Sequence, residues 1–75
     1  MRQAVPIIRI ENPGVFVGMD LAKARIEIGE HGYESRVVNE DGQRTTAHFD
    51  LKRDYDPLRI NLWVEKGKVT KAVIG

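Results

Sequence analysis

The chain has 75 residues, enough for one domain and no more. Hydrophobic residues make up 41% and charged residues 31%, a globular balance that argues against a disordered tail. Twelve Lys and Arg against eleven Asp and Glu leave a net charge of +1, which is not the basic field that nucleic acid binding requires.

No cysteine is present, which removes disulfides, thiolate metal sites and cysteine nucleophiles together. Two histidines, His31 and His48, are too few for a histidine-rich metal cage. A core this small leaves little room for a deep substrate pocket, which typically takes about 300–1,000 Å³. The expectation is a non-enzyme that works through an exposed surface or loop, with no cofactor and no membrane partner. No apolar run approaches the roughly 20 residues of a membrane span. Arg9, Glu11 and Asn12 interrupt any signal-like apolar region at the start, so a cytoplasmic location is expected, or a secreted or periplasmic one for a trimmed mature domain.

Residues 1–14, with Pro6 and Pro13, read as a partly ordered N-terminal segment. Ile8 and Ile10 alternate with Arg9 and Glu11, the pattern of a short edge strand. Asn12-Pro13-Gly14 is a turn signal. Asp20 then suits the N-cap of a helix of about ten residues, its carboxylate accepting the first free N–H groups. Leu21, Ala24 and Ile28 share one face, flanked by Ala22 and Ile26, with Gly29 and Gly32 as stop signals.

Tyr33 to Asn39 reads as a strand around Val37 and Val38. Asn39-Glu40-Asp41-Gly42 turns the chain, and Gln43 to Phe49 reads as the returning arm of a hairpin. Leu51 to Pro57 is a charged loop. Arg59 to Glu65 is the clearest strand, with Ile60, Leu62 and Val64 on one face and Asn61, Trp63 and Glu65 on the other. Glu65-Lys66-Gly67-Lys68 turns it into an antiparallel strand, Val69 to Ile74. The predicted architecture is α+β, one helix on a small mixed sheet of three to four strands, with an exposed loop before the central strand. The predicted core is Val17, Leu21, Ala24, Ile28, Val38, Ile60, Leu62, Val64 and Val73, with Phe49 as a further candidate. Exposed sheet edges can pair between chains, so the expected state is a monomer or a weak homodimer.

Few residues carry recognisable chemistry. His48 lies beside Asp50, but the lone serine, Ser35, sits in mid-strand outside any nucleophile-elbow pattern. Asp50, Asp54 and Asp56 resemble the start of a calcium loop, yet Tyr55 and Asn61 occupy the sixth and twelfth positions counted from Asp50, where glycine and glutamate belong. Neither glycine-rich phosphate motif occurs. Tyr55 and Trp63 lack the basic surroundings of a base-stacking platform. What remains is the loop Leu51 to Pro57 followed by Arg59 on the firmest strand. Binding residues sit disproportionately on such loops, and pre-ordering lowers the entropy cost of binding. Arg59 is the candidate pin, because its guanidinium carries five donors. The plainer reading is a solvated charged loop with Arg59 in a surface ion pair worth about 0–1 kcal/mol.

Asp54-Tyr55-Asp56-Pro57-Leu58-Arg59-Ile60-Asn61-Leu62 resembles the D-Y-R-P-D-R-L-N-V segment of the peptidase inhibitor I78 family, with Asp54, Tyr55, Pro57, Arg59 and Asn61 matching. Val17-Gly18-Met19-Asp20-Leu21-Ala22-Lys23-Ala24 resembles that family's helix entry, and Gly67, Val69 and Gly75 fit its closing hairpin. The layout is similar to the potato inhibitor I family of chymotrypsin inhibitor and eglin-type proteins. The resemblance spans residues 15–75, which it implies are an inhibitor-like α+β domain. It implies a serine protease partner, trypsin-like or subtilisin-like, bound in a substrate-like manner through loop 51–57. Carried over by position, Arg53 enters the specificity pocket, Arg53–Asp54 is the scissile bond, and Lys52, Tyr55 and Asp56 complete the contact loop. Arg59 and Asn61 are the implied loop supports. The chain departs from the I78 pattern in lacking cysteines, in Asp56 and Leu58, and in a longer stretch from Val37 to Tyr55. The alternative is a non-inhibitory protein-interaction module of the same fold.

Overall fold

The computed structural model describes residues 6–45 and 55–75. Among them are one α-helix, α1 (Leu21–Glu30), and four strands, β1 (Glu34–Glu40), β2 (Gln43–Arg44), β3 (Arg59–Glu65) and β4 (Lys68–Ile74). The strands form one mixed sheet in the order β2-β1-β3-β4. β1 and β3 are parallel, while β2 and β4 pair antiparallel with β1 and β3 respectively. The fold is therefore α+β, as the hydrophobic patterning predicts.

Period-two alternation in β3 buries Ile60, Leu62 and Val64 against Ala24 and Ile28 of α1. These side chains, with Ile10, Phe16, Tyr33 and Val69, form the main core. Leu21 is half-buried at its margin, and Ile26 is exposed.

Several expectations need correction. Val17 is 47% exposed, and its neighbour Phe16 fills the core from a 3₁₀ turn, Pro13–Phe16. That turn starts at Asn12, whose Oδ1 accepts the Gly14 N–H at 3.0 Å. Val73 is half-buried, and Val69 is the buried valine of β4. The β3–β4 register shifts between Trp63 and Val64, which changes the facing of the residues beyond it. Val38 is buried, as expected. A register shift between Val37 and Asn39 leaves Val37 packed on the main core and Val38 buried apart from it. By alternation Val38 takes the face of the sheet away from α1. Phe49 lies outside the described residues.

Asp20 stands at the N-cap position, but its carboxylate makes no capping bond. It lies 3.2 Å from Lys68 Nζ instead. The Leu21 N–H is met by the Gly67 carbonyl at 2.9 Å, so the β3–β4 turn does part of the capping. The helix also runs through Gly29. Gly32, at φ +81°, is the residue that reverses the chain. Residues 6–12 are not a strand. They are tied by single bonds, from Ile8 N–H to the His31 carbonyl and from Ile10 N–H to the Tyr33 hydroxyl. No helix among the described residues is long and apolar enough to cross a membrane.

Candidate functional site

The parallel pairing of β1 with β3 dictates the site. A hairpin cannot join parallel strands, so the chain must leave the end of β1 and travel back to the start of β3. Residues 41–58 make that journey. Their outgoing end is a tight hairpin. Asp41 and Gly42 both have positive φ, the signature of a type I′ turn, and β2 pairs back on Asn39 and Glu40. Thr45 continues the hairpin, its N–H donating to the Val38 carbonyl and its hydroxyl to the Val37 carbonyl. Asp41 also fixes this end to the neighbouring turn. Its Oδ1 accepts the Lys66 N–H at 2.8 Å, and its own N–H donates to the Val64 carbonyl at 2.8 Å.

The return end is anchored from a different direction. Asp56 folds its own turn, with Oδ1 accepting the Leu58 N–H at 2.9 Å and its carbonyl accepting the Arg59 N–H at 3.2 Å. The Gly75 carbonyl oxygen then accepts twice, from the Asp56 N–H at 3.1 Å and from Arg59 Nη2 at 2.8 Å. The Gly75 N–H donates to the Arg59 carbonyl at 2.9 Å. Gly75 thus joins the foot of the loop to the start of β3. Tyr55, just before this clasp, is 61% exposed.

The second implied support behaves differently. Asn61 does not join the clasp. It is wholly buried, and its Oδ1 accepts Arg36 Nε at 3.0 Å across the β1–β3 seam. Its Nδ2 has no hydrogen-bond acceptor among the described residues. Farther along the same face, Lys71 Nζ sits 4.7 Å from the centroid of the Trp63 ring.

Of the expected contact loop, Tyr55 and Asp56 are described, whereas Lys52, Arg53 and Asp54 lie outside the described residues. Sequence reasoning found Arg59 as an anchor but missed Gly75 as its partner and Arg36 as the partner of Asn61. Nothing in the sequence signals Arg36, because its partner is set by a parallel register that local patterns do not encode. His31 is a structural residue, its Nδ1 bonded to the Ile8 carbonyl at 2.9 Å, and His48 is outside the described residues. No group of three or more His, Asp or Glu able to hold a metal ion occurs among the described residues. An open cleft of about 240 Å³ has Ile10, Phe16, Glu27 and His31 in its wall. Comparison with models of known families, with curated proteins and with solved structures gives no match.

Proposed function

We propose that this domain is a serine protease inhibitor of potato-inhibitor-like architecture, presenting residues 51–57 as a substrate-like contact loop. The observation that carries the reading is the double use of the Gly75 carbonyl, which ties Asp56 and Arg59 to one acceptor at the loop's foot. A loop held at its foot loses less conformational freedom on binding, and it keeps the cut ends together if the scissile bond breaks. The outgoing end supports the same reading, because Asp41 fastens it to the β3–β4 turn. In this proposal Arg53 enters a trypsin-like specificity pocket and pairs with its carboxylate, with Lys52, Asp54, Tyr55 and Asp56 flanking it. The function is binding without turnover, and no cofactor takes part.

The test is a titration against trypsin and a subtilisin-type protease, with Arg53→Ala alongside. Equimolar inhibition of trypsin, lost in Arg53→Ala, is the expected result. Full protease activity at a large molar excess of the protein would overturn the reading and leave the non-inhibitory interaction module as the alternative.

A further inference from the structure

We propose that the open edge of β4 pairs with β4 of a second copy of this chain, about a twofold axis at Ala72, an inference independent of the inhibitory reading. β4 is the last strand of the sheet, and nothing among the described residues pairs with the outer side of residues 70–74. Which groups face outward follows from the ladder. The Gly75 N–H bonds the Arg59 carbonyl, so Gly75 and, by alternation, Val73 and Lys71 turn their backbone groups toward β3, where Asn61 and Trp63 are their partners. Ala72 and Ile74 therefore point N–H and carbonyl away from the sheet. The Thr70 carbonyl points outward as well, because it lies trans to the Lys71 N–H across one peptide plane. An edge of free donors and acceptors is a template for another extended strand.

The open stretch matches itself in length and charge. Residues 18–20 cover the edge at one end. There the Gly18 N–H donates to the Val69 carbonyl at 2.7 Å, the Val69 N–H donates to the Met19 carbonyl at 2.9 Å, and Asp20 bridges to Lys68. At the other end β4 stops at Ile74. A second copy, antiparallel and centred on Ala72, fills that stretch without overrunning the covered part. Ala72 exchanges both bonds with its own counterpart, and each Ile74 N–H meets the Thr70 carbonyl of the other copy. Lys71 then stands opposite Val73 of the other copy and not opposite itself, and its ammonium is already drawn over the Trp63 ring at 4.7 Å. Like charges are therefore not set face to face. Ala72, Val73 and Ile74 are apolar yet only half-buried, and exposed Val17, beside Gly18, borders the place where Ile74 of the other copy arrives. The opposite edge of the sheet, β2, has only two residues, so the pairing closes as a dimer and does not run on as a fibre.

The test combines sedimentation equilibrium with backbone amide exchange on the whole 75-residue chain, over a range of concentration reaching about 1 mM. The mass is expected to rise from monomer to dimer. As it does, the Ala72 and Ile74 amides are expected to pass from fast to slow exchange, while the Lys71 and Val73 amides, which face β3, stay protected throughout. Ala72→Pro deletes an outward donor and no bond between β3 and β4, so the folded variant is expected to be monomeric at every concentration. Val17→Asp places a charge beside the arriving strand and is expected to raise the dissociation constant about tenfold. If Ala72→Pro does not fold, the exchange pattern of the wild-type protein and the Val17→Asp constant decide the matter. Monomer mass at about 1 mM overturns the inference. So does a dimer whose Ala72 and Ile74 amides exchange as fast as in dilute protein, or one that persists in folded Ala72→Pro. A chain that stays monomeric while a synthetic peptide of alternating Glu and Val slows the Ala72 and Ile74 amides overturns the second copy as the occupant of the edge.

Discussion

Arg59 and Gly75 are bonded to each other in both directions, Nη2 to the Gly75 carbonyl at 2.8 Å and the Gly75 N–H to the Arg59 carbonyl at 2.9 Å. The same Gly75 oxygen holds the Asp56 N–H. Arg59→Gln removes the charge-assisted bond, whose loss costs about 1.5–3 kcal/mol. The expected outcome is faster hydrogen exchange at the Asp56 amide, measured by NMR. Arg59→Lys restores little of that protection, because an ammonium does not reproduce the planar fork.

The core gives a second expectation. Ile28 and Leu62 are both fully buried in the main core. Leu62→Ala is expected to cost about 2–5 kcal/mol. That approaches the whole stability of a domain this size, about 3–5 kcal/mol, so the variant should be largely unfolded at room temperature by circular dichroism. Ile26→Ala, on the exposed side of α1, should change stability by less than about 0.5 kcal/mol.

Asp41 couples two turns through its bond to the Lys66 N–H while itself holding a positive φ of 52°. Asp41→Ala loses the acceptor and adds strain, and about 1–2 kcal/mol of destabilisation is expected in urea unfolding. Asp41→Asn keeps an oxygen acceptor and a side chain that tolerates this backbone region, so it should restore most of the loss.

The exposed Asp20–Lys68 pair tests a weaker force. Both side chains are more than half exposed, so Lys68→Met should shift stability by no more than about 1 kcal/mol. The small difference from wild type should shrink further in molar salt, as thermal unfolding at two ionic strengths will reveal.

The helix and β3 were legible because their burial follows simple periods, 3.6 for Ala24 and Ile28 and two for Ile60, Leu62 and Val64. The Asp-Gly and Lys-Gly turns were legible because local backbone chemistry selects them. Val73 was misread, since a register shift breaks the alternation and leaves no mark in composition. Asp20 has the right side chain for a cap, but its carboxylate pairs with the Lys68 ammonium, and the Gly67 carbonyl accepts the Leu21 N–H instead. At the candidate site, Arg59 was legible as a strand-borne cation beside a loop. Gly75 and Arg36 were not, because each meets its partner only once β3 has paired with its two neighbours.

The most direct measurement is an equimolar mixture of the wild-type protein with trypsin, followed by residual activity and by intact mass. Activity that falls to near zero while the chain stays uncut, or is cut only between Arg53 and Asp54 with inhibition retained, is the predicted result. Activity that persists while the chain is rapidly degraded would contradict the proposal that residues 51–57 form a held, substrate-like loop.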